Sequence, residues 1–180
     1  MKIRRVVTGH DAQGKSVFVS DGEAPRADSF AHFPGHATAQ VWSADAPPSV
    51  PHGGVDPTLA RGSLIPPEGG NSLLLVDFPP DAVMGGGADP ATAFAELAAA
   101  LPGLMETFEP DVPGMHTTDT VDYAIVLDGE IWLELDDGAV KLVKAGDVVV
   151  QNGTRHAWRN RGERVARVAF MMTGASRRAG

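Results

Sequence analysis

The sequence predicts an all-β domain, two stacked sheets or a closed barrel, with one helix near residues 90–101. Three observations carry this prediction. Short apolar or alternating runs dominate the chain and become almost unbroken from Val121 onward. Asp-Gly pairs stand between such runs in Leu127-Asp128-Gly129-Glu130 and Leu135-Asp136-Asp137-Gly138-Ala139, and those two residue types tolerate the positive φ of a tight hairpin. One segment alone has a helical pattern. Successive antiparallel strands with one apolar face bury it only by stacking or closing.

In chain order, Lys2 to Val7, Ser16 to Ser20, Ala37 to Ser43 and Ser72 to Phe78 read as strands. Between Ala46 and Gly70 lie Pro47-Pro48, Pro51, Pro57, Pro66-Pro67 and Gly69-Gly70. This stretch reads as an ordered wrapping loop. The helix has Asp89 as N-cap, Pro90 in its first position, Ala91 to Leu101 as its body and Pro102-Gly103 as its stop. Leu97, Leu101, Leu104 and Met105 would share a face if helicity resumed past that stop. Arg161-Gly162-Glu163 punctuates a third turn, and no internal repeat is visible. One domain over 1–180 is expected, with strands and wrapping in 1–71 and the denser run of strands in 72–173.

The formal net charge of -8 disfavours nucleic acid and anionic membrane surfaces as partners. A small organic molecule fits better. No run approaches a membrane span, and Val6 to Thr8 is too short for a signal after Met1-Lys2-Ile3-Arg4-Arg5, so a cytoplasmic location is expected. With no cysteine, disulfides, thiolate metal sites and a cysteine nucleophile are excluded. No Ser-His-Asp order, phosphate loop or dinucleotide fingerprint stands in a fitting context, and no organic cofactor is expected.

The chemistry concentrates in two segments. Met115-His116-Thr117-Thr118-Asp119-Thr120-Val121-Asp122-Tyr123 places His116, Thr118, Thr120 and Asp122 on one face of a strand. In Gly146 to Asn160, His156, Trp158 and Asn160 share a face in the same way. Facing each other inside a barrel, two imidazoles and a carboxylate would converge on a volume able to hold a divalent metal. Asp119, Tyr123, Arg155 and Arg159 fall on the opposite faces. His32 and His36 have helical metal-ligand spacing, but Pro34 and Gly35 between them favour a loop.

These two segments resemble the paired motifs of the cupin superfamily. In that comparison His116 takes the first-histidine position, Thr118 stands where a second histidine is usual, and Asp122 stands where Glu is usual, counted back from Gly129. His156 and Asn160 match the second motif, with Asn152 at a position where Pro is usual. The resemblance covers about Leu73 to Phe78 and Val112 to Phe170, and implies a double-stranded β-helix, or jelly roll. It makes Asp81 to Val112, with its Gly85-Gly86-Gly87 stretch, an insertion beside the motif strand that either covers the barrel mouth or packs on the outer sheet. It also implies a homodimer.

The resulting expectation is a small-molecule enzyme. His116, Asp122 and His156 would be its catalytic set and would hold Fe(II), Mn(II), Ni(II) or Zn(II). Thr118, Thr120, Trp158 and Asn160 would line the substrate pocket. Dioxygenation and a non-redox lyase, decarboxylase or isomerase step are both compatible with that set. Two other readings stand beside it: metal-free acid–base catalysis by the same three residues, and a ligand-binding cupin without turnover. Trp158 is read as a wall for an aromatic ligand or as core filling, and Asn160 as pocket or as a partner of backbone groups near its turn.

Overall fold

The computed structural model describes residues 1–60, 62–84 and 89–178; the Gly85-Gly86-Gly87 stretch lies outside the described residues. Eleven strands and one α-helix follow in order: β1 (Arg4–His10), β2 (Ser16–Glu23), β3 (Arg26–Ser29), β4 (Ala37–Ala44), β5 (Asn71–Phe78), α1 (Pro90–Ala100), β6 (Thr120–Asp128), β7 (Glu130–Glu134), β8 (Val140–Lys144), β9 (Val148–Asn152), β10 (Ala157–Arg159) and β11 (Ala166–Gly174). The strands β1 and β2 form a hairpin of their own. Six strands make a sheet in the order β3-β4-β5-β11-β6-β9, and three make a second in the order β10-β7-β8. Every strand pairing in these sheets is antiparallel.

The two sheets enclose the core. Alternation on β6 turns Thr120, Asp122, Ala124 and Val126 inward, beside Leu74 and Val76 of β5 and Val168, Phe170 and Met172 of β11. Ile131 of β7, with Val143 and Trp158, closes the opposite side. Of the predicted hairpin turns, the one at Asp136 to Gly138 joins β7 to β8, which do pair; Asp137 (φ 55) and Gly138 (φ 71) supply the positive backbone angles. Gly129 also has positive φ (76), but β6 and β7 lie in different sheets. The same holds for β10 and β11 around Arg161-Gly162-Glu163. A turn residue fixes local backbone direction, whereas the partner of each strand is set by which sheet its apolar face must complete.

The helix forms as read. Asp89 accepts a hydrogen bond from the Thr92 amide, Pro90 opens the first turn, and Leu101 caps the end by donating to Leu97 O. The described residues of the loop from 46 to 70 pack against the barrel, with Leu64 and Thr58 buried and the Leu64 amide donating to Pro102 O (2.8 Å). β3 was not legible, since Arg26-Ala27-Asp28-Ser29 carries no apolar alternation and exists as an edge strand against β4.

Candidate active site

His116 lies just before β6 and His156 just before β10, and their backbones exchange both hydrogen bonds: His116 N to His156 O (2.9 Å) and His156 N to His116 O (3.0 Å). A directly opposed pair projects both side chains on one face. The two rings sit 4.2 Å apart between centroids. Phe108, itself bridged to His116, stacks on that ring at 4.5 Å, and Trp158 meets His156 edge-on at 6.3 Å.

Both imidazoles are fixed in the same tautomer. Nδ1 of His116 lies 3.1 Å from Gly114 O, and Nδ1 of His156 lies 2.9 Å from Thr154 O. A carbonyl only accepts, so each Nδ1 carries the proton and donates. Burial lowers the pKa of both rings, that of His156 to about 4 with the neighbouring His116 adding to the effect. At neutral pH each Nε2 is therefore an unprotonated lone pair. Neither makes a hydrogen bond among the described residues.

The pair borders a cavity of about 960 Å³. Asp122, Trp158, Phe170, Met172 and Phe78 contribute to the barrel side, and Met84, Phe94, Leu97, Leu101, Leu104, Met105 and Phe108 of the insertion form the opposing wall. The four residues expected to share a face if helicity resumed do share the cavity. They reach it from α1 and the turns that follow. Arg155 and Arg159 are not free in solvent: Arg155 forks onto Glu109 (2.5 and 2.7 Å) and also reaches Asp136, while Arg159 bonds Glu134 and Pro113 O. These contacts tie residues 109–113 to the barrel beside the histidines.

Residues 104–172, the span that contains both histidines, Asp122 and Trp158, match the family model for the cupin domain. Over that span the chain carries a cupin domain. Phomopsin biosynthesis cluster protein C' of Diaporthe leptostromiformis is 60% identical over 47 residues, covering 26% of this cupin and 25% of its own length. The cupin thus spans about a quarter of the length of that relative. The cupin-domain-containing oxidoreductase srdB of Neurospora crassa is 29% identical over 173 residues, 93% of this chain and 71% of its own. Among solved structures, the cupin domain of Schizosaccharomyces pombe Cnp3 aligns over 97% of this chain and 89% of its own, with 10% identity and a TM-score of 0.47.

Within the cupin fold the expected site residues separate. Asp122 is 5% exposed and lines the cavity. Burial raises its pKa to about 6, partly offset by the Thr120 hydroxyl, and its Oδ1 has no partner. Thr118 and Thr120 do not line the cavity: they are buried and bond each other through their hydroxyls (2.7 Å). Asn160 does not line it either. It is 1% exposed, donates to Phe78 O and Arg164 O and accepts from Gly162 N, which is the backbone role.

The three-ligand metal set is not assembled. Among the described residues no group of three or more His, Cys, Asp or Glu side chains is placed to hold an ion. The reason is local. His116 belongs to a bridge with His156, the chain leaves regular strand at 117–119, and Asp122 sits inside β6 paired with Gln151 and Met172. Two neutral imidazoles remain a suitable donor pair for a divalent ion, without the carboxylate.

Sequence reasoning gave the first seventy residues only strands and wrapping, yet His32, Phe33, His36 and Thr38 line the cavity. Nothing in their spacing places them there. The Phe33-to-His36 turn abuts the barrel because β4 pairs with β5, the same strand that supplies Val76 and Phe78. Among the described residues no helix is long and apolar enough to cross a membrane.

These buried histidines give stability a pH dependence. The pKa of His36 and of His156 is lowered by burial from 6.5 to about 4, so below pH 6.5 the unfolded chain binds protons that the folded chain refuses. Their contribution is complete above 6.5 and lost as pH falls. Asp122 acts oppositely: with its pKa raised to about 6, it adds stability as pH falls from 6 to 3.8, and that contribution is complete below 3.8. The two histidines outweigh it. Unfolding free energy measured with urea is expected to drop by on the order of 2–3 kcal/mol from pH 7 to pH 4.5, and His156→Phe is expected to flatten the slope.

Proposed function

We propose that this cupin is an enzyme that takes a small, largely apolar aromatic molecule into its cavity and carries out proton transfer on it at the His116–His156 pair. The observation that supports this most is the matched anchoring of the two Nδ1 atoms. It leaves two neutral Nε2 bases side by side at an aromatic wall, in a cavity to which Leu, Met, Val and Phe side chains contribute much of the lining. A buried base with its tautomer fixed and no competing partner is organised for general-base work. A substrate hydroxyl, or an acidic C–H beside a carbonyl, gives its proton to Nε2 of one histidine. The second imidazole shares it, and Nδ1–H on the carbonyl keeps each ring oriented. Asp122 also lines the cavity, and its pKa of about 6 makes it a hydrogen-bond donor in acid and an acceptor at neutral pH.

The test follows proton transfer itself. In D2O, NMR loss of the α-CH2 signal of aryl ketones such as deoxybenzoin is expected to be accelerated by the wild-type protein and to be insensitive to chelators. The pH profile is expected to show a limb near 6 that Asp122→Asn removes. Exchange at the buffer rate for every bound ketone would sink the reading.

A second reading keeps a metal, because anchored Nδ1 atoms with free Nε2 atoms also describe the orientation that protein carbonyls impose on metal-binding histidines. When bound, a divalent ion would supply Lewis-acid or oxygen-activating chemistry, held by His116 and His156. The oxidoreductase names of the longer relatives fit that reading. Stoichiometric metal in untagged protein, lost in both His116→Gln and His156→Gln, would favour it over the first.

A further inference from the structure

His32 also lines the cavity, and 35% of its side chain is exposed. Its Nδ1 lies 2.9 Å from Glu96 Oε2, and the Ala31 and His32 amides donate to the same carboxylate at 2.7 and 3.0 Å. These hydrogen bonds, the one from the His32 amide foremost, hold the Glu96 carboxyl below the usual carboxylate range. An ionised carboxylate only accepts, so Nδ1 of His32 carries the proton and, in the neutral ring, Nε2 holds the lone pair. Among the described residues Nε2 makes no hydrogen bond, yet it is not one of the buried polar atoms that lack a partner. Solvent therefore reaches it.

This contact sits at the rim of the cavity. Glu96 belongs to α1, whose Ala93, Phe94 and Leu97 line the same space, and Phe94 is nevertheless 59% exposed. His32 lies in the turn from Phe30 to His36, which is closed by the Phe33 amide on Phe30 O and the His36 amide on Phe33 O. From the His36 ring a series of edge contacts runs along the wall through Phe78, Phe170 and Trp158 to His156, at 6.2, 6.2, 5.5 and 6.3 Å. His32 thus stands by one end of an aromatic strip whose other end is the His116–His156 pair.

We propose that His32 is a second binding contact of this cavity, accepting through Nε2 a hydrogen bond from a hydroxyl at the rim end of an elongated aromatic ligand whose inner end is held by the His116–His156 pair. The inference rests on the reading of the cavity as a site for aromatic molecules. Glu96 acts through the ring as a positioning residue, since the hydrogen bond at one imidazole nitrogen fixes the state of the other. Both ends present lone pairs, so the ligand carries a donor at each end. The rings between them make it longer than one aromatic ring.

The test uses 4-(ω-hydroxyalkyl)phenols of increasing tether length, each against the 4-alkylphenol with a methyl group in place of the terminal hydroxyl, with affinities measured by calorimetry. The preference for the hydroxyl, taken as the ratio of the two Kd values, is expected at one tether length to be about 3- to 10-fold higher in wild type than in His32→Phe, the net worth of one hydrogen bond. His32→Gln, whose side-chain oxygen accepts, is expected to keep part of that preference. Both variants retain the Ala31 and His32 amides that hold Glu96, so α1 stays docked. In ¹H–¹⁵N correlation spectra of the free protein the His32 proton is expected on Nδ1. The same preference in wild type and His32→Phe at every tether length would overturn the role of His32 alone, as would a neutral ring protonated on Nε2. If the 4-alkylphenols do not bind, or bind equally well to His116→Gln and His156→Gln, the cavity reading falls and this inference with it.

Discussion

His156→Gln and His116→Gln are each expected to lower turnover by about 10²- to 10⁴-fold, the range over which a positioned general base contributes. Glutamine retains hydrogen-bonding capacity but cannot hold a proton between substrate and protein. The backbone exchange between residues 116 and 156 does not depend on the side chains, so the bridge survives and the circular dichroism spectrum should be unchanged. Since the rings lie 4.2 Å apart and act on one proton, the double variant is expected to be little worse than either single one. The affinity for a mono-phenol should fall less than the rate does. Independent, multiplicative losses would mean that the histidines work at separate steps.

Asn160→Ala is expected to have the largest effect on stability, about 3–4 kcal/mol by urea denaturation. Asn160 is 1% exposed, and its side chain satisfies Phe78 O (2.8 Å), Arg164 O (2.7 Å) and Gly162 N (3.0 Å). Alanine leaves those backbone groups without partners where water enters poorly. The same residue ties β5 to the start of the insertion, since its amide bonds Asp81 Oδ1 (3.0 Å) and its carbonyl accepts from Asp81 N (2.8 Å). Asn160→Asp should cost more than alanine, because a carboxylate would face two carbonyl oxygens with no proton to give. A loss below about 1 kcal/mol for alanine would show that the turn finds other partners.

The strands and the helix were legible because their signals are local: alternation on β6, Asp-Gly at the β7–β8 turn, and Asp89-Pro90 before a run of alanines. Sheet membership was not. Gly129 announces a turn, and only the need of β6 to complete the six-stranded sheet and of β7 to complete the other decides that they do not pair. The His116–His156 pairing was legible from motif spacing, but the shared tautomer depends on Gly114 O and Thr154 O, whose direction is set by loops. Alternation placed Thr118, Thr120 and Asp122 on one buried face, as found. It could not show that the face turns from cavity lining into core, with the threonine hydroxyls satisfying each other. His36 was invisible for a different reason: it reaches the cavity through tertiary packing of a turn, and its neighbours Pro34 and Gly35 read only as loop.

The central claim is that His116 and His156 are neutral at pH 7, protonated on Nδ1, and present two free Nε2 atoms to the cavity. Long-range ¹H–¹⁵N correlation spectra of the imidazoles measure this directly. Both rings are expected to show a protonated Nδ1 and a lone-pair Nε2 at pH 7, the ring of His156 down to about pH 5, with both Nε2 resonances moving when 4-hydroxybiphenyl is added. A cationic ring at pH 7, a proton on Nε2 of either histidine, or Nε2 resonances indifferent to the phenol would contradict the account.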